Sequence, residues 1–353
     1  GITRLNVAMG LVGMYLVRDD VEGALGLPSG ADEIPMIITD ATFAPNGQLQ
    51  YPATWQPNVI GDEILVNGVV WPYLNVPRGK VRFRIVDGSG SRSYMLMLSD
   101  SATFYQIGTD QGLLPAPVPV THLMLMPGQR ADVVIDFASY AAGTKLQLVN
   151  MDDPVPNIMQ FVVTANPGHT APLPTTLRAV TPIDPATSVV TRDLRLTQRT
   201  DACTGNSWTI DDRDWADITE RPMLGTTEIW NFHNETGVAH PMHMHLVRFQ
   251  VVGHPEMGWL DTVTVPAQET VSVIATFTDF AGKFPYHCHM LPHEDNMMMR
   301  QFEVVDPRGP DAGVDPPPPS KSGGCCDAGS QPTGAFVGAL GFAFVVLRRR
   351  RRS

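Results

Sequence analysis

Short stretches of alternating apolar and polar residues, separated by turn dipeptides, most constrain the fold of this chain. The clearest is KVRFRIV at residues 80–86, where apolar side chains alternate with arginines. A period of two places the apolar residues on one face and Arg82 and Arg84 on the other, which predicts a half-buried antiparallel strand. Asn-Gly dipeptides at 46–47 and 67–68 are typical of two-residue hairpin turns. The 31 glycines and 31 prolines also favour β structure with many turns.

The distribution of these stretches predicts two domains. Strand patterns occupy residues 35–163 and resume over 188–305. Between them, residues 165–187 are rich in proline and threonine, which is typical of an interdomain linker. Regular strand spacing with turn signals predicts an all-β chain of two tandem sandwiches, not a βαβ fold. Residues 1–18 are expected to be the end of a domain whose beginning is missing.

The net charge of the chain limits the kinds of partner that it is expected to bind. Thirty-six acidic residues against 25 basic ones give a formal charge of −11, and five of the arginines lie together at 348–352. An acidic body is a poor match for nucleic acid or for an anionic membrane surface. Neither is therefore expected as a partner of residues 1–305.

One cysteine lies between two histidines in FPYHCHMLPHEDNMMM, residues 284–299. Successive side chains of a strand point to opposite faces, so His287 and His289 share one face and Cys288 has the other. A single peptide can then serve two metal sites, with only covalent bonds between the cysteine sulfur and each imidazole. That arrangement suits electron transfer between metals.

The remaining ligands are available in AHPMHMHLVRF, residues 239–249. Taken alone, a pattern of three histidines at this spacing also fits a zinc site or a chance cluster. Together with the cysteine segment it predicts two sites. One site comprises His240, Cys288, His293 and Met298, a thiolate, two imidazoles and a thioether, as in blue copper proteins. The other comprises His243, His245, His287 and His289.

These motifs resemble the copper motifs of multicopper oxidases, namely HPMHMH and HCHMLPHEDNMM. The stretches GITRLNVAMGLVGMYLVRD, EILVNGVVWPYLNVPRGKVRFRIVDGSGSRSYMLML, QIGTDQGLLPAPV and LGTTEIW resemble bacterial three-cupredoxin laccases of the spore-coat, bilirubin oxidase and phenoxazinone synthase kind. The resemblance implies tandem cupredoxin-like Greek-key sandwiches. Residues 1–18 would be the last strands of a truncated first domain, 35–163 a copper-free second domain and 188–305 a copper-bearing third. Two further H-x-H motifs of that family are absent from this sequence, so the chain alone is expected to be inactive.

The resemblance also implies a role for each ligand. The type 1 ligands would be His240, Cys288, His293 and Met298, the type 2 ligand His243, and the type 3 ligands His245, His287 and His289. The implied reaction takes single electrons from a phenol-like or metal-ion reductant and reduces O2 to water. Glu294 resembles the acidic residue that supplies protons to the reduced oxygen.

Other functions stay open at this point. A copper-binding electron carrier without oxygen reduction needs only the cysteine site. A cuprous or other metal-ion oxidase would share the same ligands. A nitrite reductase is disfavoured because His289 would be a second histidine beside the cysteine, and an adhesive protein that reuses the fold would bind no copper.

The sequence after residue 305 changes character. A Pro/Gly/Ser-rich spacer contains Cys325 and Cys326, and an uncharged run over 334–347 precedes Arg348–Arg352. Fourteen apolar residues are fewer than the roughly 20 that span a bilayer. The order resembles a MYXO-CTERM sorting signal, which implies export and attachment at the cell surface. The partner of Cys203 is not predicted.

Overall fold

Alternating apolar residues form strands through most of the chain that the computed structural model describes, residues 2–151, 153–201, 205–307 and 309. The strands of the first half are β1 (Glu33–Phe43), β2 (Leu49–Gln50), β3 (Glu63–Val66), β4 (Val69–Val70), β5 (Tyr73–Arg78), β6 (Lys80–Asp87), β7 (Tyr94–Leu98), β8 (Phe104–Thr109), β9 (Gly112–Val120), β10 (His122–Leu125), β11 (Arg130–Asp136), β12 (Lys145–Asn150) and β13 (Asn157–Pro167). Those of the second half are β14 (Ser188–Asp201), β15 (Gly205–Ile210), β16 (Thr227–Asn234), β17 (His240–Met244), β18 (Phe249–Val251), β19 (Thr262–Val265), β20 (Thr270–Thr276), β21 (Gly282–Cys288) and β22 (Met299–Val304). The α-helices are short: α1 (Thr3–Ala8), α2 (Asp20–Gly23) and α3 (Leu291–Glu294).

Two sheets pack together in the first half of the chain. One has the order β4-β3-β1-β6-β11-β8-β9, with β2 beside β1, and the other β10-β7-β12-β13-β5. The ring of Phe83 lies 5.3 Å from that of Phe161, and Phe137 lies 5.3 Å from Phe161 on its other side. All three rings are fully buried, so the apolar faces of both sheets share one core.

The second half forms another sandwich with its own core. Its sheets have the orders β15-β14-β16-β20-β18 and β19-β17-β21-β22. Trp230 lies at the centre of this core, with its ring 5.3 Å from that of Tyr286 and 5.6 Å from that of Phe302. The prediction of an all-β chain with two sandwiches is confirmed. The exact limits given for the domains and the linker stay predictions.

Turn chemistry accounts for the hairpins. Asn67 and Gly68 both have positive φ, 51° and 79°, and they join β3 to β4. Asparagine and glycine tolerate that region at low cost, which is why this dipeptide selects the tight turn. The dipeptide at 46–47 likewise lies in the turn between β1 and β2, so both hairpin predictions are confirmed.

Two expectations about local structure are wrong. Residues 2–18 contain α1 and no strand, and the first N–H groups of this helix, from Thr3 and Arg4, donate to the carboxylate of Asp295. The strand β6 pairs antiparallel with β11 but parallel with β1, so it is not purely antiparallel. Its face with Arg82 is also covered by other residues and not open to solvent. Arg82 is only 2% exposed and its Nε donates to Asp132 Oδ1 over 2.9 Å. An arginine in an alternating strand indicates a solvent-exposed face only when no acidic residue is paired with it.

Every residue that the structure describes belongs to one compact unit. Among the described residues no helix is long and apolar enough to cross a membrane. Cys203 and the tail with its cysteine pair, apolar run and arginines lie outside the described residues.

A buried ion pair ties the second sandwich together. Arg300 has no solvent exposure, and its Nη2 lies 3.1 Å from Glu220 Oε2 and donates to the Asp217 carbonyl over 2.8 Å. Glu220 also accepts a hydrogen bond of 2.9 Å from the hydroxyl of Tyr286. Because both charged groups are removed from water, each depends on the other for compensation.

Replacing Arg300 by methionine should therefore lower the free energy of unfolding by about 3–5 kcal/mol, because an uncompensated carboxylate stays buried. The matched control is Arg195→Met, which removes an ion pair of 3.3 Å to Asp212 whose side chains are about half exposed. That control should cost less than about 1 kcal/mol. Urea unfolding of both variants checks the difference, and equal losses would contradict the buried-pair argument.

Candidate metal centre

The pairing of β17 with β21 brings the two histidine segments together. These strands are antiparallel neighbours, with Met242 opposite Cys288 and His243 opposite His287. Side chains opposite one another in such a pair share a face of the sheet. The cysteine therefore points into the apolar core beside Met242, while the two histidines point away from it.

The cysteine face holds the first cluster: His240, Cys288 and His293. Cys288 Sγ lies 3.5 Å from Nδ1 of His240 and 3.6 Å from Nδ1 of His293, and the two nitrogens are 3.3 Å apart. All three residues are at most 1% exposed. One sulfur and two imidazole nitrogens thus converge on one point that is buried from solvent.

Hydrogen bonds orient both imidazoles of this cluster. Nε2 of His240 lies 2.8 Å from Oγ1 of Thr236, which in turn donates to Oδ1 of Asn234 over 2.8 Å. The ring of His293 donates to the backbone carbonyl of Pro57. Because the outer nitrogen of each ring is the donor, the inner nitrogen keeps a free lone pair. Such outer contacts fix the tautomer of metal-binding histidines.

Two tryptophans cover the first cluster. The ring of Trp208 stacks on that of His293, with centroids 3.9 Å apart and planes 23° apart. Trp55, from the first sandwich, donates from Nε1 to the carbonyl of Pro292 over 2.9 Å and lies 6.3 Å from Trp208. These contacts seal the side of the cluster that does not face the core.

Burial sets the protonation of these groups. It lowers the pKa of His240 to about 3, with nearby His293 adding to the effect, and it lowers the pKa of His293 to about 4. Both rings are therefore neutral at pH 7, which is the form that binds metal. Burial also raises the pKa of the Cys288 thiol, so that in the apo protein the sulfur holds its proton.

Met298 is placed beside the first cluster. It is fully buried in the same apolar core as Cys288. Its carbonyl accepts the Cys288 N–H over 3.0 Å, and its own N–H donates to the carbonyl of His293 over 3.0 Å. These two backbone hydrogen bonds hold the loop that contains His293 and Met298 beside Cys288. An axial bond from the Met298 sulfur to a metal stays a prediction.

The opposite face of β21 holds the second cluster: His243, His245 and His287. Nε2 of His245 and Nε2 of His287 lie 3.2 Å apart. Nδ1 of His287 is 3.0 Å from the carbonyl of Cys288, and Nδ1 of His243 is 2.9 Å from the carbonyl of Asp261. The Nδ1–H groups are used by carbonyls, which leaves the Nε2 atoms of these two rings for a metal.

His289 lies beside this cluster, outside its tightest part. Its ring centroid is 5.6 Å from that of His287 and 5.7 Å from that of His243. Nδ1 of His289 is buried and has no hydrogen-bond partner among the described residues. Burial lowers the pKa of this ring to about 4, so it is neutral as well. A buried nitrogen without a partner is costly in an apo protein and is what a metal ligand requires.

The second cluster is more open than the first. His243 and His245 are partly exposed, and both line a cleft of about 600 Å³ together with Gln111 and Trp259. Burial lowers the pKa of His245 to about 4. Further ligands or small molecules can reach this cluster through the cleft, whereas the first cluster is closed.

Glu294, the predicted proton carrier, ends α3 next to the second cluster. Its Oε2 lies 3.4 Å from Nδ1 of His287, and the residue is 8% exposed. Burial, reinforced by the neighbouring charge of Asp295, raises its pKa to about 7. The side chain therefore exists in both protonation states near neutrality.

The donor sets fit copper. A thiolate with two imidazoles in a closed apolar site is typical of blue copper, and clustered imidazoles suit copper or zinc. Sequence reasoning found the histidines and the cysteine of both clusters. It missed the groups that orient or cover them, Thr236, Pro57, Trp208, Trp55 and Asp261. None of them carries a motif. The tryptophans, Pro57 and Asp261 act on residues far away in the sequence, and Thr236 lies four residues before His240 without forming a recognisable pattern with it.

Comparison with known proteins agrees with this geometry. Residues 180–308 match the family model described as multicopper oxidase. The chain is 38% identical to a laccase of Haloferax volcanii, covering 87% of this chain and 58% of the relative. It is 36% identical to a laccase of Bacillus stratosphericus, covering 86% of this chain and 69% of the relative. The chain thus spans about three fifths to two thirds of the length of these laccases.

Solved structures give the same result. The crystal structure of a multicopper oxidase from Aquifex aeolicus superposes with a TM-score of 0.73 at 32% identity, covering 81% of this chain and 68% of that one. Both sandwiches are therefore cupredoxin-like, as the sequence predicted. With a matching family model, more than two thirds of a laccase covered at 36% identity, and two histidine clusters joined at one cysteine, the chain belongs to the multicopper oxidase family.

Proposed function

We propose that this chain is the electron-accepting part of a copper-dependent, laccase-like oxidase. The reaction would oxidise four equivalents of a one-electron donor and reduce one O2, with four protons, to two water molecules. The observation that carries the proposal is the division of ligands along β21. Cys288 belongs to one cluster and His287, the adjacent residue, belongs to the other.

Copper bound at these clusters would supply one-electron redox chemistry with the donor and with O2. The residues of the chain prepare that chemistry. Trp208, which stacks on His293, and the Pro57 carbonyl, which accepts a hydrogen bond from it, hold the ring of His293 in a fixed orientation. The peptide between Cys288 and His287 provides a short covalent path between the clusters. A rigid path with few atoms favours electron transfer, and strand pairing on both sides of β21 keeps it rigid.

Glu294 is the proposed proton carrier on the side of the second cluster. Its carboxyl lies against the ring of His287 and is almost completely buried. Glu294 can transfer a proton to an oxygen species in the cleft only through an intervening water molecule or by rotation of its side chain. This role rests on the position of the residue next to the second cluster.

The rival functions fit the structure less well. A pure electron carrier would use the first cluster alone and would leave a second cluster with a buried, unpartnered nitrogen at His289 without purpose. Of the methionines that flank the histidine motifs, Met242, Met244 and Met290 are buried in the core, so these three cannot meet a cuprous substrate at the surface. The identity of the donor, phenol-like or metal ion, stays a matter for experiment.

For localisation, we propose that the protein is exported and attached at the cell surface through its C-terminal segment. Support comes from the sequence alone: the cysteine pair, the short apolar run and the terminal arginines. Fourteen apolar residues engage a bilayer only marginally, so a processed signal is favoured over a permanent anchor.

The chain should bind one copper tightly at the first cluster and become blue, because a copper–thiolate bond absorbs visible light intensely. Cys288→Ser should abolish the colour and weaken copper binding at this cluster by more than about a hundredfold, since losing even a group that only hydrogen-bonds a metal ligand costs about 10- to 100-fold. His233→Gln is the control, because that exposed histidine bonds Thr270 and Asp193 outside both clusters. Colour in the serine variant would mean that the thiolate is misassigned.

Oxygen uptake tests the oxidase itself. Protein isolated from its native cells and loaded with copper should consume one O2 for every four equivalents of a phenolic donor oxidised, without releasing peroxide. The measurement uses an oxygen electrode with and without catalase. A blue protein that exchanges electrons with the donor but takes up no oxygen would establish the electron carrier instead.

Mass spectrometry of protein from native cells tests the proposed localisation. A processed signal predicts a modified Cys325 or Cys326 and no peptide from residues 334–353 in the mature protein. An intact C-terminal peptide that carries Arg348–Arg352 in a membrane fraction would favour a permanent anchor. An unmodified form free of membranes would refute both.

A further inference from the structure

A turn of the first sandwich reaches into the second. Residues 126–130 connect β10 to β11 and lie against β19 of the other sandwich. Met126 is buried within the core cluster of the second sandwich. Nε2 of Gln129 donates to the carbonyl of Thr262 over 3.2 Å, and the hydroxyl of Thr264 donates to Oε1 of Gln129 over 3.3 Å. Side chains on both sides of residue 128 therefore fasten the turn to the second sandwich, Gln129 through β19 and Met126 through the core.

At the centre of this turn, Gly128 touches a histidine of the second cluster. A Cβ atom on Gly128 would lie 2.4 Å from Cδ2 of His289 and 2.6 Å from its Nε2. Real Cβ atoms do not approach other atoms so closely. The φ of Gly128 is +83°, a conformation that also favours glycine. The missing side chain leaves the space that the imidazole of His289 occupies.

The other end of the turn fixes a second histidine. Nη1 of Arg130 donates to Oδ1 of Asp261 over 2.7 Å, and Nε2 of Gln111 donates to Oδ2 of Asp261 over 2.5 Å. Oδ2 of Asp110 accepts the N–H groups of Asp261 and Thr262 over 3.3 and 3.2 Å. Three residues of the first sandwich thus hold this segment, Arg130 and Gln111 through the Asp261 carboxylate and Asp110 through two backbone N–H groups.

That segment is what orients His243. Nδ1 of His243 lies 2.9 Å from the carbonyl of Asp261 and 3.1 Å from Oγ1 of Thr262. A carbonyl accepts and cannot donate, so it selects the tautomer with the proton on Nδ1 and the lone pair on Nε2. The position of that lone pair is therefore set by contacts made to the other sandwich.

We propose that the first sandwich, which carries none of the predicted ligands, positions two histidines of the second cluster through residues 110–111 and 126–130. Gly128 forms the wall against which His289 rests, and Arg130 with Asp110 and Gln111 holds the carbonyl that orients His243. The proposal rests on the proposed function only for the identity of the metal. Gly128, Asp110, Gln111 and Arg130 are positioning residues, since none of them would bind the metal.

A pair of glycine variants separates this role from a general effect on folding. Gly128→Ala adds a Cβ against His289, and Gly143→Ala adds one at nearly the same φ, +89°, in another turn of the same sandwich with nothing within 4 Å. Both substitutions impose a similar backbone strain. Only the first one displaces the imidazole, so the difference between the variants isolates the contact with His289.

The probe is Zn²⁺ alone, which is diamagnetic and binds imidazole. It is titrated into apo chains that also carry Cys288→Ser, so that the first cluster contributes little. Calorimetry should show Zn²⁺ binding weakened about 10- to 100-fold by Gly128→Ala, the loss seen when a group that orients a metal ligand is changed, and unchanged within about twofold by Gly143→Ala. Imidazole ¹H–¹⁵N spectra should show a shifted His289 in the first variant only. Equal Zn²⁺ affinity in both variants would overturn the proposal.

Arg130→Gln provides a second test should Gly128→Ala fail to fold. Loss of the contact with Asp261 should loosen its carbonyl, so that the ¹⁵N shifts of His243 move from a single tautomer toward a mixture. An unchanged tautomer in that variant would overturn the role of Arg130. A protein that consumes no oxygen yet shows these Zn²⁺ and tautomer effects would refute the oxidase and keep the positioning role. The reverse result would keep the oxidase and refute the positioning role.

Discussion

The antiparallel pairing of β17 with β21 is the constraint on which both metal clusters depend. It places His243 opposite His287 and Met242 opposite Cys288, and it leaves no freedom in which face each residue takes. A slip of one residue in this register would move every ligand of β21 to the wrong face of the sheet. β21 also pairs with β22 on its other side, so a shift of β21 by one residue would break two ladders at once. Register therefore defines the ligand sets before any metal binds.

Burial then gives the two clusters different properties. The first cluster is enclosed by the core, by Trp208 and by the Pro57 carbonyl, and its imidazoles are neutral far below pH 7. The desolvation that keeps them neutral also keeps the Cys288 thiol protonated in the apo state. Metal binding at this cluster must therefore release a proton from sulfur, which makes copper loading dependent on pH. A preformed, water-free site offsets that cost by holding its donors 3.3–3.6 Å apart in advance.

Much of this could be predicted from the sequence, for reasons visible in particular residues. Alternation and Asn-Gly dipeptides gave the strands and both hairpins, because period-two patterns and positive φ are local properties. The ligand clusters followed from alternation around Cys288 and from the spacing in residues 239–249. Burial of Arg82 did not follow, because its partner Asp132 lies on another strand. Nor did the covering of His293 by Trp208 or the contact of Gly128 with His289, since both depend on the distance between segments far apart in sequence.

The difference in solvent access between the clusters agrees with the different roles proposed for them, although β21 contributes ligands to both. Electrons can reach a cluster that is enclosed by protein, whereas oxygen, protons and water need an opening. Under the proposed function, only the second cluster would need such an opening. The closed cluster contains the sulfur, and the cluster with partly exposed histidines adjoins both the cleft and Glu294. His243 lines the open cleft and so lacks packing on that side. Arg130 restrains it through Asp261, and Gly128 packs against His289, so a sandwich without predicted ligands contributes to the geometry of both rings.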